Sequence, residues 1–232
     1  MSSSPSPAPD AALAPPLATR AIGGFGTSIV GGGVLGAAAW LSDQLDYPLG
    51  LLIPANAIGV WLGVAFALGA SARTIPTGAL RGLIGLLSAV AVYYLLFAVL
   101  GDGFRAIGAS HAATIWGVVA LVAGPIMGGA GAIWRYGVGW PRAIGVAVLA
   151  SALLAEGIVF GGPRVVGLDR FDVDPGAILF LAEIVIGGLL PFLLLGRGER
   201  LRGYAATAAF AVIAAVAIGP VTALIRGLAD RF

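Results

Sequence analysis

Apolar side chains recur in seven long runs separated by charged or Pro/Gly-rich breaks: Ala21–Leu41, Leu51–Ala70, Ala79–Leu100, Ala112–Trp134, Ala143–Phe160, Ala177–Gly196 and Tyr204–Ile225. Each is close to the roughly 20 residues that a helix needs to cross a bilayer core, and no polar face of period 3.6 interrupts them. The pattern predicts an all-α polytopic bundle of about seven spans, or six if one run fails to cross. A single transmembrane domain should occupy residues 21–232. Residues 1–20, with Pro5, Pro7, Pro9, Pro15 and Pro16 among Ser and Ala, offer nothing to bury and predict a disordered cytoplasmic tail.

Composition agrees with the pattern. Of 232 residues, 59% are hydrophobic and 10% charged, against roughly 25% charged in soluble domains. The expected surroundings are therefore a lipid bilayer. All 13 basic residues are arginine. With the N-terminus inside, eight of them (20, 73, 81, 135, 142, 197, 200 and 202) fall on the cytoplasmic side and five (105, 164, 170, 226 and 231) on the other. Because basic loops are retained in the cytoplasm, this predicts an N-inside, multi-pass protein of the plasma membrane. A net charge of +2 points to no nucleic-acid partner.

Small residues have their own order. Gly24, Ser28, Gly32 and Gly36 follow one another at four-residue intervals in the first run, a groove into which a second helix can settle. The partner is either a helix of the same bundle or a separate membrane protein, a second copy of the chain included. A comparable row, Ala55, Gly59, Gly63 and Ala67, runs through the second.

Two ionisable residues lie within runs, Glu156 and Glu183, and a charge at depth costs about 2.5 kcal/mol or more unless it is paired, solvated or neutral. Counting from the outer helix ends puts them about 8 and 9 Å deep on consecutive antiparallel helices, so they could face one another. Two like charges in a dry site cannot both ionise cheaply. At the same level lie Tyr93 and Tyr94 (roughly 10 Å), Asn56 (about 8 Å) and Trp116 (about 6 Å), with His111 at the rim. The set is either a group of interhelical hydrogen bonds and interfacial aromatics or the lining of an outward cavity for a small polar or cationic molecule.

Catalysis finds little support in these residues. The chain has no cysteine, one histidine and no lysine, which removes thiolate chemistry, His/Glu metal sets and lysine-bearing phosphate loops. No cofactor or metal is expected, and an intramembrane enzyme acting on lipid is the remaining catalytic alternative. The glycines of Gly124–Gly131 sit inside a run and read as packing positions.

Several segments resemble a family of uncharacterised actinobacterial integral membrane proteins: NAIGVWLGVAFALG at Asn56–Gly69, Gly82–Tyr94 with its Tyr-Tyr end, WGVVALVAGPIMGGAGAIWR at Trp116–Arg135, and Arg142–Gly157 with its late Glu-Gly. That resemblance implies a plasma-membrane protein and brings no activity. Chain size, the first-run row and the outer polar belt are also similar to the substrate-capture subunits of energy-coupling-factor transporters, which would imply an outward solute site and a coupling partner.

Overall fold

The computed structural model describes residues 17–45, 54–100, 106–161 and 175–229. These residues are built from seven α-helices: α1 (Leu17–Gln44), α2 (Ile58–Ala70), α3 (Ile75–Leu100), α4 (Ala106–Tyr136), α5 (Trp140–Glu156), α6 (Pro175–Leu194) and α7 (Arg200–Ala229). Among the described residues four stretches are long and apolar enough to cross a membrane: Gly24–Gln44, Ile75–Leu100, Ala112–Tyr136 and Trp140–Val159. Ile58–Ala70 and Ile178–Leu194 are apolar but shorter.

The second run departs from expectation. Leu51 lies outside the described residues; from Pro54 on, a 3-10 turn occupies Pro54–Asn56 and α2 starts at Ile58, so its 13 residues reach only about 20 Å against a hydrocarbon core of about 30 Å. Pro54 is the local cause, since it has no N–H to donate and clashes with a preceding helical turn. At the other terminus of the chain, Leu17–Arg20 are already helical, directly after Pro15 and Pro16, which trims the expected tail; the rest of that tail lies outside the described residues.

Small residues fill the helix seams around a core of Phe66, Leu86, Met127, Leu149 and Leu153, and many further large apolar side chains face outward, which a water-soluble bundle would not tolerate. Ala39, Ala65, Ala89, Ala143 and Ala150 are fully buried, whereas Val34 and Val99 are 65% and 69% exposed. An outer surface of that kind is stable only in a lipid-like solvent, so the fold is that of a membrane protein.

The α1 row is filled from within the chain. A methyl group on Gly32 would collide with the carbonyl of Gly85, and one on Gly36 with that of Ala89, so α1 and α3 run parallel in one register. Ser28 is fully buried in the same seam and donates its hydroxyl to the Gly24 carbonyl at 3.2 Å. Gly24 itself faces the Arg81 guanidinium. A second seam joins α3 to α4, where Gly78 and Gly82 meet Gly128 and Gly124 backbone to backbone, and α4 continues through Pro125. The row expected on the second run does not form: Ala55 belongs to the 3-10 turn, Gly63 has nothing near it and Ala67 is exposed. What α2 presses on its neighbour is Gly69, against the Gly128 carbonyl.

Helix α5 packs on α4, α6 and α7 and ties the two halves together. At the Arg81 end, Glu199 fixes the turns: its Oε1 accepts the Gly139 N–H at 2.7 Å, and its Oε2 lies 3.9 Å from Arg142. Gly139 has φ 66°, a left-handed backbone in which a side chain would be strained.

Substituting Gly36→Leu should destabilise the protein by about 1–3 kcal/mol through overpacking. Gly63→Ala should be neutral or stabilising by up to about 1 kcal/mol, because the glycine lies mid-helix in open space. Thermal unfolding of both variants in the same detergent checks the contrast.

Candidate functional site

The site begins where α2 begins. Its N-cap residue, Ala57, has extended backbone (φ −70°, ψ 130°) and no side chain able to cap; its carbonyl accepts the Val60 N–H at 3.1 Å, which leaves the N–H groups of Ile58 and Gly59 without a local acceptor. In a membrane interior water cannot replace one. The acceptor arrives from another helix: Glu156, the last residue of α5, takes the Ile58 N–H on Oε1 at 3.0 Å and is also hydrogen-bonded by the Gly59 N–H. A carboxylate there also meets the positive end of the α2 dipole.

The chain beyond Glu156 is arranged to bring α6 close. Residues Gly157–Gly161 form a π turn, and a Cβ on Gly157 would come within 2.6 Å of Ile184 Cγ1 and 2.7 Å of the Phe180 carbonyl. Gly187 is similarly near the Ala150 carbonyl, 2.9 Å from its would-be Cβ. Through this seam Glu183 reaches the first turn of α2, where its Oε1 would lie 2.9 Å from a Cβ on Gly59. Both glutamates are buried, at 7% and 5% exposure, and both border Gly59.

On the opposite flank of that turn is a cavity of about 300 Å³. Its polar groups are Asp43, Asn56, Tyr93 and Tyr94, and its walls include Trp61, Trp116 and Ile58. Asp43 organises them: one carboxylate oxygen accepts the Asn56 amide N–H and the other accepts the Tyr93 hydroxyl. The Trp61 indole N–H is held by the Ala55 carbonyl, and the side chain is part of the cavity wall. Tyr94 sits edge-on to Tyr93, with ring centroids 4.8 Å apart. Among the described residues the one ion pair is Arg142 with Glu199, and none of them places a basic side chain on Asp43. A carboxylate between aromatic faces, with its hydrogen-bond donors fixed, suits a positively charged guest.

Four residues singled out in the sequence, Asn56, Tyr93, Tyr94 and Trp116, come together on this one cavity. Glu156 and Glu183 do not line it; they sit behind Ile58, one as a helix cap and the other beside it. His111 belongs to α4, but its side chain lies outside the described residues. Gly24, Ser28, Gly32 and Gly36 form the α1–α3 seam at a distance from the cavity lining. Asp43 escaped the sequence reading because the apolar run ends at Leu41, which made it look like a loop acid. Its signal was positional: it lies seven residues past Gly36, on the face that α3 covers.

Replacing Glu156 should separate capping from charge. Glu156→Leu leaves the Ile58 N–H unpaired and should cost about 1–3 kcal/mol, with faster amide exchange in the first turn of α2. Glu156→Gln keeps an acceptor oxygen and should restore most of that protection. Hydrogen exchange read by mass spectrometry on the Ile58–Ala70 peptide checks both.

No curated protein and no solved structure matches the chain. Residues 15–227 match the family described as "Family of unknown function (DUF6518)", and the chain belongs to that family.

Proposed function

We propose that this membrane protein binds a small organic cation in the Asp43 cavity, from the side on which the odd-numbered connections lie. The observation that carries it is the Asp43 carboxylate, paired with no basic side chain among the described residues and held by Asn56 and Tyr93 within walls that include Trp61, Tyr94 and Trp116. At about 300 Å³ the cavity is at the small end of ligand sites, which favours a compact amine over a lipid or a nucleotide. The arginine distribution makes that side the outer one, so the protein captures its solute from outside the cell, as a transporter or a transporter's capture subunit would.

The similarity to energy-coupling-factor capture subunits drew partly on an open row along the first helix. Because α3 covers Gly32 and Gly36, that row offers no vacant groove, and the cavity alone supports the solute reading. The same covering removes the main motive for a partner-docking role through the row. Catalysis is not part of this proposal: Asp43 is already the acceptor of two fixed hydrogen bonds, which suits holding a charge better than moving a proton.

The test is a panel of primary, tertiary and quaternary ammonium compounds with their neutral and anionic isosteres, scored by thermal stabilisation of protein in lipid nanodiscs. At least one cation should stabilise the wild type, and Asp43→Asn should weaken its binding tenfold or more, about 1.4 kcal/mol. Trp116→Ala should remove a smaller part, about 0.5–2 kcal/mol of cation–π attraction. Stabilisation by no cation, or an affinity unchanged in Asp43→Asn, would refute the proposal.

A further inference from the structure

We propose that Glu156 and Glu183 form a buried proton-binding site in which one proton is shared between the two carboxyls. The inference stands on their placement and does not depend on what the Asp43 cavity holds. Both side chains are more than nine-tenths buried, and both lie against Gly59 at the start of α2. Glu156 Oε1 is committed to backbone N–H groups, but Glu156 Oε2 and both oxygens of Glu183 have no hydrogen-bond partner.

Among the described side chains, the neighbouring elements supply no cation to balance a second negative charge. Helix α2 contains no titratable residue, and α6 contains none besides Glu183. On α5 the remaining charge is Arg142, about 21 Å along the helix from Glu156 and paired with Glu199. The cavity groups Asp43, Tyr93 and Tyr94 lie on the other flank of the α2 turn and are themselves acidic. On α7, Arg200 and Arg202 are at the opposite end, Arg200 over the Phe192 ring and Arg202 over the Trp140 ring, while the side chain of Arg226, near the last turn, lies outside the described residues.

Three charge states can then be compared. With no proton, two carboxylates are buried together with no cation among the described side chains beside them, which the bilayer interior opposes strongly. With two, the α2 N-terminus loses the negative charge that its dipole and its free N–H groups favour. With one, Glu156 stays anionic as the cap, while Glu183 is neutral and can direct its O–H at Glu156 Oε2. That single hydrogen bond satisfies one oxygen on each residue among the three left open. A metal ion is the poorer occupant, because it would want about six oxygen ligands and would face the positive end of a helix.

Infrared spectroscopy of the full chain in nanodiscs tests this directly. The protein has three glutamates, and the third, Glu199, is paired with Arg142. A protonated-carboxyl C=O stretch should persist at neutral pH, shift in D2O, and shift again when glutamate is labelled with 13C at its side-chain carboxyl, a measurement that needs no substitution. It should vanish in Glu183→Gln, reappear at a changed frequency in Glu183→Asp, and move in Glu156→Gln, where an amide replaces the carboxylate acceptor. The proposal is overturned if the wild type shows no such band at neutral pH, if the band ignores the glutamate label, or if it survives unchanged in Glu183→Gln.

Discussion

The hydrogen bond from the Ile58 N–H to the Glu156 carboxylate is the constraint on which the functional end of the molecule depends. A helix that starts inside a bilayer leaves its first N–H groups without water, and a short chain has few ways to supply acceptors. Here the acceptor is 98 residues away in sequence, at the end of α5. That arrangement lets α2 be short, and the shortness leaves room beside its first turn for a cavity between α1, α3 and α4. It also obliges α5 to bury a carboxylate and α6 to place a second one next to it. Cavity and carboxyl pair thus share one structural element, the turn at Ile58 and Gly59.

Glycine and alanine seams make these placements accurate. Side chains between helices would hold the backbones apart and blur the register, whereas Gly32 on Gly85, Gly36 on Ala89 and Gly82 on Gly124 bring main chain against main chain. The parallel α1–α3 register fixed by the first two contacts continues upward to set Asp43 beside Tyr93. Gly157 and Gly187 do the same for α5 and α6, and so for the meeting of Glu156 with the neighbourhood of Glu183.

Much of this was legible from residue order. Long apolar runs specify helices of membrane length almost without regard to tertiary context, so the all-α architecture and the positions of six helices followed closely. The common depth of Asn56, Tyr93, Tyr94 and Trp116 was legible because rise per residue is constant, and those side chains do share a cavity. Depth says nothing about azimuth, however. Glu156 and Glu183 lie at the expected level but on the far flank of α2, where capping demand and the Gly157 seam direct them. The late start of α2 follows the Pro54–Asn56 turn, which hydropathy alone does not reveal, and α1 extends past its apolar run to Gln44 and so includes Asp43.

The central claim is that the α2 turn borders, on its side away from Glu156, a cavity whose charge is that of Asp43. Because the chain has no cysteine, single-cysteine variants need no background removal. The most direct measurement is the rate at which Asn56→Cys and Tyr94→Cys react with small cationic and anionic thiol reagents in intact membranes, with Gly63→Cys as the control away from the cavity. The account predicts modification of both cavity positions but not of the control, a cationic reagent faster than an anionic one, and loss of that preference when Asp43→Asn is added. Cavity positions that react no faster than Gly63→Cys, or that react without regard to reagent charge, would contradict it.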